Sequence, residues 1–355
     1  MGRAQKGARG LAIAMFMVLL ASYVVNAMDR QLFPLLVPEV RRQYSFSLAE
    51  VGLLSTVFTF GMSVAGFPTG YLLARFSRKM VLQAGIVLFS ACTALTVIAS
   101  GFPDMLMYRA ATGIGEAMQL TILLAIAASY FINHRAAALG SVNFSFGVGA
   151  IISPILGGAL LNVYQSWKVP LLIFLLLGFV AIAAISFTLR PWLTETGSAA
   201  GEHMDAGVLS TLINRNTILL TSMSTIAGLI IYGYLGMYPT FLREGLRYTP
   251  TAAGSVMSLY GLGALVSIGG GWLGDRFSPR IVLGSAFFIT AVLGYLLFHT
   301  SGALLEQVIL SFMWGIVVSG MIYVNLAGYL VKSLRSSLAG SLALALRPDT
   351  MSQEV

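Results

Sequence analysis

Ten apolar runs follow one another along this chain, and each is long enough to cross a lipid bilayer as a helix. A bilayer core about 30 Å thick needs roughly 20 apolar residues per helix. Cut at charges, prolines and glycine turns, the runs cover residues 11–36, 48–73, 79–100, 103–131, 137–162, 169–190, 216–241, 250–274, 280–300 and 303–330. The sequence therefore predicts an all-α polytopic membrane protein surrounded by the lipid bilayer.

The charge content supports this class and argues against a nucleic-acid partner. Of the 355 residues, 57% are hydrophobic and 10% are charged, whereas about 25% are charged in a typical soluble domain. The net charge is +8, but the basic residues form short clusters between the apolar runs instead of one patch. Clusters of this kind set the orientation of a membrane protein. We expect a monomer that binds no nucleic acid.

The distribution of Lys and Arg predicts a cytoplasmic N-terminus. With that orientation, fourteen basic residues fall on inside segments and five on outside segments, which agrees with the positive-inside rule. The first run, preceded by Arg3, Lys6 and Arg9, also resembles a signal peptide. Because many more runs follow, we interpret it as a retained first helix. The predicted location is the plasma (inner) membrane of a bacterium.

A ten-residue segment occurs once in each half of the chain. Residues 70–79 read GYLLARFSRK, and residues 271–280, which lie 201 positions later, read GWLGDRFSPR. Each copy follows the second helix of its half and occupies an inside loop. The widest polar gap lies between the halves and predicts a linker. The predicted units are an N-terminal six-helix bundle (1–190), a cytoplasmic linker (191–215), an incomplete C-terminal bundle (216–335) and a tail (336–355).

Two parallel halves joined by a cytoplasmic linker resemble the major facilitator superfamily, across essentially residues 10 to 335. That family's loop signature is Gly-x-x-x-Asp-Arg-x-Gly-Arg-Arg, with variation. The matching conformational residues here are Gly70, Arg75, Arg78, Gly271, Asp275 and Arg276. In the family the acid caps a helix and pairs with nearby arginines, so the resemblance implies that role for Asp275. The first copy departs from the pattern, with Ala74 in place of the acid.

The resemblance also implies twelve helices, six in each half, and this chain offers ten. Two further spans are expected after Arg335, but the tail 341–355 is short and contains charged residues and a proline. We therefore expect six N-terminal helices and about four of the six C-terminal helices, a chain truncated at its C-terminus. An inactive, truncated transporter is one alternative function that the sequence leaves open.

Within the superfamily, the chain most resembles the anion:cation symporters, which carry organic anions and sugar acids with protons. The first helix contains Asn26-Ala-Met-Asp-Arg30, and the fourth contains Tyr108-Arg-Ala-Ala-Thr-Gly-Ile-Gly-Glu-Ala117. The seventh contains Tyr232-Gly-Tyr-Leu-Gly-Met-Tyr-Pro-Thr-Phe-Leu242. The resemblance implies proton-coupled uptake of small organic anions by alternating access. A proton-driven exporter of drugs or metabolites is the alternative, because residues 147–158 on the fifth helix resemble the glycine-proline motif of drug:proton antiporters.

Asp29 and Glu116 are the acids predicted to lie at membrane depth, with Arg30 and Arg109 as available partners. A charge at that depth costs a few kcal/mol on insertion scales, so it usually faces a cavity and has a partner. Arginine can bind a carboxylate through two parallel hydrogen bonds. Burial disfavours the charged form of a carboxyl and a nearby arginine favours it. We therefore hypothesise that the two acids carry protons and the two arginines hold the anion.

Each pair of charged residues also has an alternative explanation that involves no role in transport. Asp29 and Arg30 would be solvated if they lay at the outer end of the first helix. Arg109, Gly113 and Glu116 share one helical face by their spacing, so Arg109 and Glu116 could instead be a structural ion pair. These alternatives remain open at the level of sequence.

Further polar and small residues are candidates for the cavity or for helix packing. Tyr232, Tyr234 and Asn325 are predicted to contact the substrate, although tyrosines also pack or form interfacial belts and polar residues also hydrogen-bond between helices. Small residues and proline permit close approach and bending of membrane helices. The predicted packing residues are Gly113, Gly115, Pro154, Gly157 and Gly158.

The sequence contains no Cys/His cluster, phosphate loop or catalytic triad pattern. We therefore predict no enzyme, no metal and no cofactor, with the proton gradient as the driving force for transport.

Overall fold

The computed structural model describes residues 3–131, 134–195, 215–326 and Tyr329. Within those ranges the chain is helical and contains no β-strand. Nine helices of this part are long and apolar enough to cross a membrane: Gly10–Tyr44, Leu48–Leu73, Arg78–Ile98, Phe102–Tyr130, Ala137–Tyr164, Lys168–Thr188, Ile218–Gly245, Pro279–His299 and Leu304–Leu326. The prediction of an all-α, multi-pass membrane protein is confirmed.

The helices carry the following labels in chain order. They are α1 (Arg3–Tyr44), α2 (Leu48–Val64), α3 (Gly66–Leu73), α4 (Arg78–Leu95), α5 (Phe102–Tyr130), α6 (Arg135–Tyr164), α7 (Lys168–Thr188), α8 (Pro191–Thr194), α9 (Arg215–Thr240), α10 (Pro250–Leu265), α11 (Ser267–Arg276), α12 (Pro279–His299) and α13 (Leu304–Trp314). A π-helical turn, Phe241–Gly245, continues α9, and a π-helical segment, Gly315–Tyr323, continues α13.

Three of the predicted runs differ from the helices in the structure, and one of them is the second run, which divides into α2 and α3 at Ala65. The first run was expected to end at residue 36, but α1 continues to Tyr44 through Pro34 and Pro38. Prolines are tolerated in membrane helices because neighbouring groups satisfy the backbone that they free. The eighth run was expected to be one helix, but α10 and α11 meet at Val266. Three consecutive glycines follow that break at 269–271, and glycine weakens helices.

The predicted division into halves and tail stays a prediction. The linker is described only at its two ends, through α8 and the first residue of α9. Residues 196–214 and the tail 336–355 lie outside the described residues.

The helix α6 packs along α1 on one side and against α10 on the other. A Cβ atom added to Gly157 would lie 2.5 Å from Leu32 Cδ1, on α1. A Cβ atom on Gly158 would lie 2.5 Å from the carbonyl oxygen of Pro250, and one on Gly254 would lie 2.1 Å from the carbonyl oxygen of Pro154. The small residues around Pro154 therefore let α6 join the N-terminal helices to α10.

The helix α5 lies between α2 and α4 at similarly close contact. A Cβ atom on Gly113 would lie 2.1 Å from the carbonyl oxygen of Phe58, on α2. A Cβ atom on Gly115 would lie 2.6 Å from the carbonyl oxygen of Gly85, on α4. These two contacts hold α5, and with it Glu116, in register with its neighbours.

We expect Gly113→Ala to destabilise the fold by about 1–3 kcal/mol, the usual range for overpacking. The obstructing atom is backbone, so it cannot rotate away as a side chain would. The matched control is Gly52→Ala, because Gly52 is also helical but a Cβ atom there meets nothing within 4 Å. Thermal unfolding in detergent measures the stability of both variants. Equal melting temperatures for the two variants would contradict the packing described for α5.

Candidate functional site

A ladder of buried polar side chains joins α1 to α5. Ser22, Asn26 and Arg30 are spaced four residues apart, so they share the face of α1 that meets α5. Arg30 Nε donates to Glu116 Oε2 at 2.9 Å, and Arg30 Nη2 donates to Asn26 Oδ1 at 3.3 Å. Asn26 Nδ2 donates to Gln119 Oε1 at 2.9 Å, and Gln119 Nε2 donates to Ser22 Oγ at 3.0 Å. Arg30 and Glu116 are therefore held by neighbours on both helices.

Glu116 is fully buried, with 0% of its surface exposed. One carboxylate oxygen, Oε2, is bonded to Arg30, but Oε1 has no hydrogen-bond partner among the described residues. The acid next to Arg30 on α1, Asp29, is buried as well. A protonated carboxyl carries one O–H group, so the unpartnered Oε1 is the oxygen of Glu116 that can hold a proton.

Asp29 lies inside the bundle and not at a solvated helix end. Only 3% of its surface is exposed, and Thr93 Oγ1 on α4 donates to its Oδ2 at 2.8 Å. The helix α1 continues for fifteen residues beyond it, to Tyr44. The alternative in which Asp29 and Arg30 end the first helix is therefore wrong.

Arg109 contacts aromatic rings instead of an acid. Its Cζ atom lies 4.4 Å from the ring centroid of Phe33 and 4.5 Å from that of Phe58, an arrangement that favours a cation electrostatically. Among the described residues, no ion pair joins Arg109 to Glu116. Seven residues along a helix correspond to roughly 10 Å of rise, too far for a direct pair, and Glu116 instead reaches Arg30 on α1.

A cavity of about 360 Å³ lies between α1, α5 and α6 on one side and α9, α10 and the segment after α13 on the other. Arg30 is the one charged residue among the described residues that line it. Four tyrosines also line it: Tyr23, Tyr232, Tyr260 and Tyr323. Much of the remaining lining is apolar and comes from α5, α6, α9, α10 and the segment after α13. The cavity therefore presents a single cation, with hydroxyl groups around it, in a largely apolar wall.

The structure separates the predicted substrate residues. Tyr232 lines the cavity, but Tyr234 is bonded to Ser311 at 2.7 Å and stacked on Trp314 in the core of the second half. Residues 232 and 234 are about 200° apart around a helix, so both cannot face the same cavity. Asn325 is not among the lining residues.

The amide of Asn325 binds backbone carbonyls between packed segments. Its Nδ2 atom donates to the carbonyl oxygen of Gly270 at 2.9 Å and to that of Met321 at 2.8 Å. The assignments of Tyr234 and Asn325 to the cavity therefore do not hold in this conformation, because their polar atoms are used within the second half. Arg109 does not line the cavity either.

The first copy of the repeated loop motif holds helix ends together. Arg78 Nη1 donates to Ser129 Oγ on α5 at 3.2 Å and to the carbonyl oxygen of Thr194 at 3.3 Å. Arg75 lies over the ring of Tyr71, with its Cζ atom 4.2 Å from the centroid. A Cβ atom on Gly70 would meet nothing within 4 Å.

In the second copy, Arg276 Cζ lies 5.2 Å from the ring centroid of Trp272. The surroundings of Gly271 and the side chain of Asp275 lie outside the part that the structure describes. The capping role implied for Asp275 therefore stays a prediction.

Five charged residues form a cluster between the C-terminal end of α1 and the π-helical turn after α9. We call Glu39, Arg41, Arg42, Arg243 and Glu244 the end cluster. Glu39 is paired with Arg243 and also accepts from Arg42 Nη2 at 2.8 Å, while Arg41 is paired with Glu244. The cluster begins nine residues after Arg30, roughly 13 Å farther along α1. It therefore ties the two halves together beyond one end of the cavity.

Sequence reasoning missed several of the contacts that build the site. The four-residue spacing of Ser22, Asn26 and Arg30 was a visible signal of a polar face. Nothing in the sequence pointed to Thr93 as the partner of Asp29, or to Phe33 as a neighbour of Arg109. Those contacts join different helices, and their positions in the sequence carry no sign of the pairing.

Comparison with known proteins places the chain in a family. Residues 19–346 match the Major Facilitator Superfamily. The chain is 25% identical over 295 residues to the hexuronate transporter of Bacillus subtilis, covering 76% of this chain and 68% of that protein. It is 23% identical over 359 residues to the cis,cis-muconate transport protein of Acinetobacter baylyi, covering 96% of this chain and 84% of that protein.

The protein spinster of Drosophila melanogaster is 27% identical over 234 residues, which cover 64% of this chain and 38% of that protein. The chain thus spans well under half the length of this relative.

Solved structures show the same fold. A bacterial homolog of the human lysosomal transporter Spinster, inward-facing and unoccupied, superposes with a TM-score of 0.73 at 18% identity, covering 93% of this chain and 79% of the other. The nucleoside transporter NupG superposes with a TM-score of 0.74 at 11% identity, covering 92% of this chain and 85% of the other. The matched proteins are transporters and not enzymes. As the repeated loop motif predicted, this integral membrane protein belongs to the Major Facilitator Superfamily.

Proposed function

We propose that this protein is a secondary active transporter that takes up small organic anions together with protons by alternating access. The observation that carries the proposal is the double contact of Arg30, which lines the cavity and also holds the fully buried Glu116. A ligand in the cavity and a proton on Glu116 therefore act on the same guanidinium group. The relatives named for hexuronate and muconate support an organic anion as the ligand.

Charge balance links the anion to the proton. Arg30, Arg109, Asp29 and Glu116 are all buried, and their charges cancel when every group is ionised. An anion entering beside them adds one uncompensated negative charge, and an unpaired charge in a low-dielectric interior is costly. Protonation of one carboxyl removes that charge. Binding of one monoanion is thus expected to favour the uptake of one proton.

The guanidinium of Arg30 has donors to spare for the anion. It carries five N–H groups, and its bonds to Glu116 and Asn26 use two of them. Tyr232 lines the same cavity as Arg30 and adds a hydroxyl group to its wall. A carboxylate that binds the remaining N–H groups weakens the hold of Arg30 on Glu116, which can then accept a proton. Asp29, the other buried acid beside Arg30, is the second proposed proton carrier.

The end cluster supports alternating access. In this conformation it joins α1 to the turn after α9 beyond one end of the cavity. Release of those ion pairs would let the two halves separate at that end and expose the cavity to the other side of the membrane. The proposed cycle therefore opens each end in turn around the fixed site at Arg30.

Transport into proteoliposomes tests the function. With the outside more acidic by one pH unit, an organic anion carried with one proton should accumulate about tenfold, because one pH unit is worth about 1.36 kcal/mol. Collapse of the gradient by a protonophore should remove the accumulation. Movement driven by the opposite gradient would favour a proton-driven exporter. Equal anion movement with and without a pH gradient would contradict proton coupling.

A further inference from the structure

We infer that the substrate is a monoanion with a compact apolar body, such as an aryl-alkyl monocarboxylate, and neither a polyhydroxylated acid nor a dianion. The inference rests on the proposed function and narrows its substrate class. It follows from the number of cations in the cavity, the chemistry of the wall and the neighbours of Arg30.

The cavity offers charge for one carboxylate. Arg30 is the one charged residue among the described lining residues, and part of its charge is already balanced by Glu116 at 2.9 Å. The other buried arginine, Arg109, lies outside the cavity between the rings of Phe33 and Phe58. A second carboxylate on the substrate would meet no further cation among the described lining residues, and its desolvation there would be uncompensated.

The wall suits an apolar body better than a hydroxylated one. Ten of the eighteen lining residues are apolar or glycine, among them Leu120, Leu124, Phe146 and Ile231. A buried hydroxyl of the substrate that lacks a partner loses its hydrogen bonds to water without replacement, which weakens binding. Two hydroxyl groups of the wall, those of Tyr260 and Ser319, are already bonded to each other at 2.7 Å.

An aromatic ring also lies beside Arg30 in the cavity. The Cζ atom of Arg30 lies 5.5 Å from the centroid of Phe146, which lines the cavity as well. A carboxylate on Arg30 places the adjoining carbons of the substrate next to this ring, where aromatic groups pack favourably. The volume of about 360 Å³ lies near the lower end of the range for small-molecule sites, about 300–1,000 Å³, which favours a compact ligand.

Four probes that differ in charge, in the number of carboxylates or in the polarity of the body can test the inference. Phenylacetate is the apolar monoanion, phenylacetamide its neutral analogue, phenylmalonate the dianion on the same ring, and gluconate a polyhydroxylated monoanion. Calorimetry on the full chain in nanodiscs should give phenylacetate an affinity at least about tenfold above each of the others, a difference of roughly 1.4 kcal/mol. This comparison needs no variant, so it does not depend on the folding of a mutant.

Two variants assign the effect to the cavity. Arg30→Gln should lower phenylacetate binding to the level of phenylacetamide, because the charge of the site is removed. Leu124→Ser, in the apolar wall, should weaken the binding of phenylacetate by about tenfold and leave the affinity for gluconate unchanged. Melting temperatures without ligand check that both variants are folded.

The outcomes separate this inference from the proposed function. If gluconate or phenylmalonate binds as tightly as phenylacetate and the binding needs Arg30, the inference on substrate class is overturned and the anion transporter stands. If phenylacetamide binds as well as phenylacetate and Arg30→Gln changes nothing, no anion site exists and both fall. If none of the acids binds, the inference on substrate class and the proposed transport function are both overturned.

Discussion

Glu116→Gln is expected to abolish proton-driven accumulation while preserving exchange of anion across the membrane. Glutamine keeps the size of the side chain and can still accept a hydrogen bond from Arg30, but it cannot take up a proton. Under a gradient of one pH unit, accumulation should fall from about tenfold to none. Counterflow, which exchanges labelled for unlabelled anion without a gradient, should persist because it needs the anion site and not the proton.

The same variant changes the pH dependence of binding. If a proton binds together with the anion, wild-type affinity for the anion rises as pH falls, because the protonated form of the carboxyl pair is then more populated. In Glu116→Gln this dependence should flatten. Calorimetry across pH measures it, and Glu306→Gln, at an exposed residue bonded to Ser301, is the matched control that should behave as wild type.

Asp29→Asn distinguishes the two acids. If Glu116→Gln still accumulates anion and Asp29→Asn does not, Asp29 is the proton carrier and the assignment to Glu116 is wrong. If both variants accumulate anion as wild type does, the coupling does not run through this pair of carboxyls.

Glu39→Arg is expected to hold the end cluster open and to reduce transport by about tenfold or more. Removal of a partly exposed ion pair usually costs only about 0–1 kcal/mol, so a neutral change would have a small effect. Reversal is different, because it places a fourth arginine beside Arg41, Arg42 and Arg243, and like charges in contact cost several kcal/mol. The Arg243 side chain is only 9% exposed, which limits screening by solvent. A shift of about 1.4 kcal/mol already changes a conformational ratio tenfold.

A charge swap provides the matched control. Glu39→Arg combined with Arg243→Glu restores opposite charges across the same contact and should recover most of the transport. Binding of the anion should change by less than about twofold in either variant, because the cluster lies roughly 13 Å along α1 from Arg30. Glu306→Arg, a reversal at the same end of the bundle, should leave transport unchanged.

Distances between spin labels report the opening itself. The chain has one native cysteine, Cys92, which can be replaced by serine before labels are attached at the exposed positions Ser45 and Arg247. The distance distribution should extend to longer values in Glu39→Arg and return in the charge swap. If the distances are unchanged in the reversal variant, the end cluster does not govern this end of the cavity.

The class and family of this protein were predictable because the bilayer leaves few alternatives. A chain in hydrocarbon must satisfy its backbone internally, so long apolar runs can only be helices or strands of a closed barrel. The repeated segments at 70–79 and 271–280 then indicated the family, which the match over residues 19–346 confirms. The boundaries were less secure, since α1 passes through two prolines and α10 ends before a run of glycines.

The acids of the site were found by sequence because they are rare in apolar surroundings. Asp29 and Glu116 interrupt apolar runs, and a charge at such a position implies a cavity or a partner. The same reasoning could not choose the partner. Arg109 shares a helix with Glu116, but the structure pairs Glu116 with Arg30 and places Arg109 between two aromatic rings.

The sequence by itself thus determined the helical membrane class, the family and the buried charged residues, since these depend on residue type and on spacing along one helix. Tertiary structure alone decided which arginine lines the cavity, which hydroxyl binds Asp29, and that Tyr232 faces the cavity while Tyr234 does not. The physical reason is that these contacts depend on the rotation and register of one helix against another. Close approach at Gly113 and Gly115 sets that register for α5, and the spacing of residues along a single helix does not contain it.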